Sequence, residues 1–133
     1  MATQTERRLH VRSCDIDSQQ VVNNARYFEY FQDVRLDHLF SIIPHTLWPE
    51  GQSFMLAQTS CSYKSPLRFR EDAISRAWTS EVRTRSFSLN YSISRPDGSP
   101  VAEGSSVQVW LGADGKPTPL PDNVRLALEQ SMA

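Results

Sequence analysis

The sequence predicts an α+β domain in which one curved antiparallel sheet packs around a single long helix. Three observations support this prediction. A long helix-like hydrophobic pattern occurs early in the chain, strict alternation of apolar and polar residues follows later, and turn residues separate the later segments. Helices and strands segregated along the chain in this way are typical of α+β proteins.

The composition fits one domain spanning residues 1–133. Hydrophobic residues make up 39% of the chain and charged residues 22%, which is ordinary for a globular protein. A net charge of -1 argues against nucleic acid or an anionic membrane as the main partner, because both demand concentrated positive charge. The polar N-terminus lacks the apolar segment of a secretory signal, which favours a cytoplasmic location.

The first elements are a strand, a polar loop and the long helix. Alternation predicts a strand over Arg7 to Cys14, and a loop from Asp15 to Val22 follows it. Asn23 or Asn24 is a good N-cap for a helix that runs to about Leu39 or Phe40. The charged residues of this helix gather on one narrow face, which indicates a helix wrapped on several sides: Arg26, Glu29, Asp33 and Asp37.

Four strands should follow the helix. Phe54 to Tyr63 and Ala73 to Val82 both read as half-buried, with Ile74, Trp78 and Val82 on one face of the second. In Ser86 to Ser94, apolar and polar residues alternate strictly, with Phe87, Leu89, Tyr91 and Ile93 on the apolar face.

The remaining elements are set by turns. The sequence Arg95-Pro96-Asp97-Gly98 predicts a turn into a strand over Val101 to Leu111, and a second turn follows at Ala113 to Lys116. Pro121 and Asp122 can open a short C-terminal helix that carries Val124, Ala127 and Leu128 inward. Because such a sheet leaves exposed edges, we expect at least a dimer formed by edge-to-edge pairing.

The junction between the polar loop and the helix can do chemistry. Asp15 and Asp17 lie in the loop just before the helix start at Asn24 and Ala25. Amides of a first helical turn, together with the helix dipole, can hold a developing oxyanion, and a nearby carboxylate can attack a carbonyl or activate water. Tyr27 is either a lining residue of the same site or plain core.

Other site types have little support. Cys14 and Cys61 do not form a zinc pattern and read as free packing thiols, and the three histidines show no ligand pair. The sequence also lacks the glycine-rich and nucleophile-elbow motifs of dinucleotide enzymes, nucleotide triphosphatases and serine hydrolases.

The order of these features resembles the hotdog-fold acyl-CoA thioesterases, near the branch of 4-hydroxybenzoyl-CoA thioesterase and the small bacterial long-chain enzymes. The resemblance covers nearly the whole chain. It is carried by the Asp15-Ile16-Asp17 loop, the Val22-Asn23-Asn24-Ala25-Arg26-Tyr27 helix start, Arg35, Tyr63 to Arg68, Ser86-Phe87, Lys116-Pro117 and Leu120-Pro121.

The resemblance implies a hotdog fold, a homodimer or dimer of dimers with its active site at the interface, and thioester hydrolysis without metal or cofactor. It implies that Asp17 is the catalytic carboxylate, and Ser86 would approach the site across the interface. We expect five basic residues to contact the phosphates of coenzyme A or of a carrier protein's pantetheine arm: Lys64, Arg68, Arg70, Arg83 and Arg85. Gln20 and Glu71 depart from relatives, many of which carry Gly at both positions.

Two other functions remain open. A non-catalytic acyl-CoA or lipid sensor would use the same fold with the reaction switched off, and the bulky Gln20 in the reactive loop keeps this alternative alive. A dehydratase of the same fold ranks last, because it needs a positioned histidine and none lies in the Asp15 to Val22 loop. Acyl chain length and carrier identity stay undetermined.

Overall fold

The computed structural model describes residues 2–133, without the side chain of His45, so Met1 of the polar N-terminus lies outside it. Five strands, two α-helices and two short 3-10 turns follow one another in the order β1 (Thr5–His10), a 3-10 turn (Ser13–Asp15), α1 (Arg26–Ile42), a 3-10 turn (His45–Leu47), β2 (Ser53–Tyr63), β3 (Asp72–Val82), β4 (Ser86–Ser94), β5 (Pro100–Leu111) and α2 (Asp122–Ser131). This confirms the predicted fold class, including the long helix and the short C-terminal one.

The five strands form one sheet with the order β1-β3-β4-β5-β2, and every neighbouring pair is antiparallel. Helix α1 lies across the inner face and packs mainly against β1 and β3, with far less contact to β2. The apolar residues of β4 are buried beneath it as predicted: Phe87, Leu89, Tyr91 and Ile93. The sheet therefore has two edges, β1 and β2, and α1 leaves the β2 side largely uncovered.

Gly104 of β5 permits the close approach of α1 to the sheet. A Cβ atom at this position would lie 2.4 Å from the ring of Phe31 and 2.6 Å from the carbonyl oxygen of Ser60. Both distances are shorter than any van der Waals contact allows, so a side chain would push the helix away. With glycine there, the Phe31 ring stacks on Tyr91 with the centroids 4.6 Å apart.

The bounds of β1 and the faces of β3 differ in part from the predictions. Strand β1 ends at His10 rather than Cys14, because the Asp15 carboxylate accepts a hydrogen bond from the Arg12 amide at 2.9 Å and closes a 3-10 turn. Strand β3 is half-buried as predicted, and Ile74 and Trp78 share one face, but it is the outer face, and Val82 lies on the other one because the pairing with β4 shifts register between Thr79 and Glu81. The buried face carries small residues: Ala73, Ser75, Ala77 and Thr79. Small side chains face inward here because α1 packs directly on this strand.

Strand β2 was expected to be half-buried and is instead mostly exposed along its length. Its alternation is also interrupted, because the pairing with β5 shifts register between Leu56 and Gln58. Met55 and Thr59 therefore lie on opposite faces of the strand, although uninterrupted alternation would place residues four apart on the same face. Exposed Leu56 and Tyr63 remain on the inner face.

Helix α1 continues to Ile42, beyond the predicted end at Leu39 or Phe40. Two of its buried residues are polar, Arg35 and His38, which the apolar pattern did not reveal. In residues 2–133, none of the helices combines the length and apolar character that a membrane crossing requires.

Candidate active site

Asp15 holds the loop that precedes α1. Asp15 is only 2% exposed, its carboxylate accepts the Arg12 amide at 2.9 Å, and its main-chain carbonyl oxygen accepts the Asn23 amide at 2.9 Å. Burial by itself raises the pKa of the Asp15 carboxyl, but the Arg12 amide and the nearby Tyr30 hydroxyl favour the ionised form, so its pKa lies below the ordinary value. Both ends of the loop are thus tied to Asp15, one through its carboxylate and the other through its carbonyl oxygen.

Asp17 lies at the tip of the same loop and is half-buried. One carboxylate oxygen accepts the Gln19 amide at 2.8 Å, and in residues 2–133 the other oxygen has no donor. The Asp17 amide donates to the Val21 carbonyl oxygen at 2.9 Å, which closes a tight turn. This turn leaves one carboxylate oxygen of Asp17 free to act on another molecule.

Gln20 completes the turn with a φ of 67°, in the left-handed region that favours glycine. Gln20, where many relatives carry glycine, therefore adopts a backbone conformation that glycine favours. Among the described residues, the other non-glycine residue with a positive φ is Arg70, at 69°. The left-handed backbone of the β2–β3 connection therefore belongs to Arg70, the residue before Glu71.

The start of α1 has a free amide at Asn24. Asn23 shapes it: its side-chain oxygen accepts the Ala25 amide at 3.0 Å and its carbonyl oxygen accepts the Arg26 amide at 2.8 Å. The Ala25 amide is therefore engaged within the protein. The Asn24 amide has no acceptor in the described part of the chain, and its carbonyl oxygen accepts the Tyr63 hydroxyl at 2.9 Å.

A cavity of about 180 Å³ lies beside this helix start. Its wall is formed by the end of the Asp17 loop, the first turn of α1, the end of β2 and the connection to β3: Val21, Val22, Asn24, Tyr27, Tyr63, Lys64, Ser65 and Pro66. Tyr27 is both a core residue and a lining residue, because it is buried and yet borders the cavity. The end of the predicted loop, at Val21 and Val22, and the start of the helix therefore border one small cavity, whereas Asp17 at the loop tip is not one of the residues that line it.

Tyr63 was missed as a site residue by sequence reasoning. Its ring packs edge-on against Tyr27 with the centroids 5.1 Å apart, and its hydroxyl fixes the carbonyl of Asn24. The available signal was its position at the end of β2, directly before Lys64-Ser65-Pro66. That signal is weak, because nothing in the local pattern shows that the end of β2 meets the start of α1.

The predicted phosphate-binding residues divide between the two ends of the sheet. Arg68 pairs through its backbone with Val21, next to the Asp17 loop, and its side chain is exposed. Arg83, Arg85 and Ser86 lie where β3 ends and β4 begins, and β4 is nine residues long, which corresponds to about 26 Å. Within one protomer these three residues are therefore remote from Asp17, and Arg83 is paired with Glu81 at 2.9 Å.

No group of three or more potential metal ligands occurs within residues 2–133. A larger hollow of about 420 Å³ opens on the outer face of the sheet beside Trp78, Asn90 and Glu103. It lies on the face of the sheet opposite α1, so it does not form part of the site at the helix start.

Known proteins resemble this chain in both sequence and fold. The sequence profile of the thioesterase-like superfamily matches residues 11–128. The probable thioesterase YbaW of Escherichia coli has a TM-score of 0.85 at 23% identity, covering 97% of this chain and 99% of that one. A 1,4-dihydroxy-2-naphthoyl-CoA thioesterase from Synechocystis has a TM-score of 0.82 at 16% identity, covering 95% and 96%.

A curated relative is the chloroplastic acyl-acyl carrier protein thioesterase ATL3 of Arabidopsis thaliana, which is 28% identical over 120 residues. The match covers 88% of this chain and 63% of that protein, so the chain spans less than two thirds of the relative's length. The family match extends over both the Asp17 loop and the whole sheet. The chain therefore belongs to the thioesterase-like superfamily and has the hotdog fold.

Proposed function

We propose that this protein hydrolyses acyl thioesters of coenzyme A, with Asp17 as the catalytic carboxylate and the Asn24 amide as the oxyanion donor. The observation that carries the proposal is the unengaged Asn24 amide, which borders the cavity at the start of α1. An amide there combines a free hydrogen-bond donor with the positive end of the helix dipole. Thioester hydrolysis needs both a carboxylate and such a donor beside one carbonyl.

In this mechanism the carbonyl oxygen of the thioester accepts a hydrogen bond from the Asn24 amide. The free oxygen of Asp17 faces the carbonyl carbon, which is the atom to be attacked. Asp17 either attacks it directly, giving a mixed anhydride that water then cleaves, or takes a proton from an attacking water. In both routes the carbon–sulfur bond breaks, the acid keeps the oxygen of the water, and the leaving thiolate takes up the proton that the water gives up. The Ala25 amide, engaged by Asn23, joins as a second donor only if the Asn23 side chain turns away.

A homodimer is part of the proposal, because the two sheet edges differ in character. Edge strand β1 is short and carries Glu6, Arg7 and Arg8, whereas β2 is 11 residues long and exposes Met55 and Leu56. Charged short edges resist pairing, and long apolar edges invite it. Pairing two β2 strands about a two-fold axis is therefore the favoured assembly.

Antiparallel pairing at β2 would also bring the residues that lie far from Asp17 within one protomer close to the Asp17 of the other. It places the end of β2 in one protomer beside the start of β2 in the other, so opposite ends of the two sheets meet. The far end that carries Arg83, Arg85 and Ser86 of the partner subunit then turns towards the Asp17 end of the first. These residues, with Arg68 from the same protomer, are our candidates for binding the carrier.

The central experiment replaces Asp17 by Asn. Removal of a positioned catalytic carboxylate should lower turnover of acyl-CoA by roughly two orders of magnitude or more. Release of free thiol from short, long and aromatic acyl-CoA thioesters is the measurement. Asp33→Asn, which removes an exposed carboxylate on the polar face of α1, should keep full turnover.

Near-normal rates in Asp17→Asn across the panel would contradict the assignment. A non-catalytic sensor is the second candidate, favoured by the bulky Gln20 in the loop. It predicts that acyl-CoA raises the melting temperature of the wild-type protein while no thiol is released, since a ligand that binds the native state stabilises it.

A further inference from the structure

The connection between β2 and β3 carries exposed basic residues and an exposed aromatic ring that hydrolysis of the thioester itself does not require. We propose that this connection, residues 64–71 and here called the basic loop, binds the 3′-phosphoadenosine diphosphate end of coenzyme A. The proposal rests on the proposed function, because it starts from a thioester held in the cavity. Lys64, Ser65 and Pro66 form part of the cavity wall, and the rest of the loop continues outward from it.

The basic loop has an excess of unpaired positive charge. Lys64, Arg68 and Arg70 are exposed, and within residues 2–133 none of their side chains forms an ion pair. The neighbouring carboxylates are occupied elsewhere: Glu71 pairs with Arg95 at 2.9 Å and Asp72 with His10 at 2.7 Å. This charge is complementary to a polyanion such as the phosphates of coenzyme A.

The loop is also held in a fixed shape. Arg95 donates to the Ser65 hydroxyl at 2.8 Å and to the Pro66 carbonyl oxygen at 2.7 Å while it pairs with Glu71. Leu67 is fully buried, and its carbonyl oxygen accepts the Val22 amide at 2.8 Å. Since the loop is anchored before any ligand arrives, binding to it costs little ordering entropy.

Phe69 and Arg70 protrude from this anchored loop as a pair. The Phe69 ring is 43% exposed, and the Arg70 guanidinium carbon lies 5.1 Å from its centroid. Arg70 makes this contact from a left-handed backbone, at a φ of 69°. An arginine that keeps a glycine-like conformation is a strained residue of the kind that concentrates at ligand sites.

This pair favours a nucleotide over an acidic protein surface as the occupant. A purine base can stack on an exposed aromatic ring, and arginine supplies both a flat stacking partner and a phosphate ligand. An acidic carrier protein would use the three cations but would leave the Phe69 ring without a flat partner. We therefore assign the loop to the adenine and phosphates of coenzyme A.

The test separates the carrier from the acyl group. The wild-type protein should bind adenosine 3′,5′-bisphosphate in calorimetry, and Arg70→Gly should weaken that binding about tenfold, the effect of losing one charge-assisted contact. For one acyl group, Arg70→Gly should lower kcat/KM about tenfold on the coenzyme A thioester but not on the pantetheine thioester. Arg8→Gln, which removes an exposed unpaired cation in the middle of β1, is the matched control.

Glycine suits a left-handed position, so the melting temperature of Arg70→Gly should not fall, and lost binding cannot then come from unfolding. The inference fails if the wild-type protein does not bind the bisphosphate, or if both thioesters lose activity equally. It also fails if only an acyl-carrier-protein substrate is affected. Because calorimetry needs no turnover, bisphosphate binding without hydrolysis would overturn the proposed function and keep this site.

Discussion

Asp15 and Asp17 are chemically identical side chains two residues apart, and their surroundings give them different tasks. The Asp15 carboxylate is buried and takes the Arg12 amide, whereas Asp17 is half-buried and keeps one oxygen free. Each carboxylate accepts one backbone amide, so the difference between them is exposure: the buried Asp15 can only organise the loop, whereas the half-buried Asp17 can reach another molecule. At the residue scale, burial thus distinguishes the two side chains.

Gln20 gives a prediction at the same scale. Its left-handed backbone, with a φ of 67°, is strained for a residue with a Cβ atom, and glycine removes that strain. Gln20→Gly should therefore raise the free energy of unfolding by about 1 kcal/mol. Urea denaturation followed by fluorescence is the measurement.

Gln19→Gly is the matched control, since Gln19 does not adopt a positive φ and its replacement gains only chain entropy in the unfolded state. We expect Gln19→Gly to be neutral or destabilising. A Gln20→Gly protein less stable than wild type would show that the Gln20 side chain makes a contribution larger than the backbone strain.

The two edge strands of the sheet differ in length and charge, and therefore in how readily each can pair with another strand. Strand β1 has six residues, three of them charged at Glu6, Arg7 and Arg8. Strand β2 is nearly twice as long, and helix α1 barely covers its inner face. The unpaired backbone of β2 is therefore the natural place for a second protomer.

Leu56→Lys tests that assignment. Leu56 is 41% exposed on β2, and a charge there should separate the protomers because an interface strand would have to bury it. Sedimentation velocity at micromolar concentration should report a dimer for wild type and a monomer for the variant. If the site is completed across the interface, thioester hydrolysis should fall with it.

Leu126→Lys is the control for this substitution, because Leu126 is 55% exposed on α2 rather than on β2. It should leave the dimer intact. A wild-type protein that sediments as a monomer, or a Leu56→Lys variant that stays dimeric, would exclude β2 as the interface.

At the scale of the whole molecule, a buried histidine joins elements that are far apart in the sequence. His38 of α1 is fully buried, with Nδ1 bonded to the Thr5 hydroxyl of β1 at 2.9 Å and Nε2 to the Thr79 hydroxyl of β3 at 3.0 Å. Ser131 of α2 donates to Thr79 at 2.8 Å. One small polar cluster therefore links both helices to two strands.

This cluster predicts how stability depends on pH. Burial lowers the pKa of His38 to about 4, so the folded protein disfavours the protonated ring that the unfolded chain carries below its ordinary pKa of 6.5. The stability is fully present above pH 6.5 and falls as the pH drops towards 4, by roughly 3 kcal/mol in total. Urea midpoints measured between pH 7 and 4 would show it.

The matched variant is His38→Gln, which keeps a polar side chain that does not titrate. Its overall stability should be lower, but its loss of stability between pH 6.5 and 4 should be much smaller than in wild type. Equal slopes in the two proteins would mean that another group controls the acid response.

Strand alternation and turn motifs depend mainly on residues adjacent in the sequence, so the elements that they define could be predicted well. Strand β4 has the predicted bounds and apolar face, because strict alternation reports the two faces of a strand directly. The turn at Arg95 to Gly98 also forms as predicted, with the Gly98 amide bonded to the Arg95 carbonyl oxygen at 2.8 Å. The sequence likewise placed a carboxylate loop before a helix start.

Local patterns were thus enough to predict the fold class, the order of the elements and the position of the Asp17 loop. The exposed edge at β2, the small residues of β3 that face α1 and the free amide at Asn24 rather than Ala25 became evident only from the packed molecule. It also placed Arg85 and Ser86 at the opposite end of the sheet from Asp17. The physical reason is that periodicity records local chain geometry, whereas exposure and free donors depend on contacts between residues distant in the sequence.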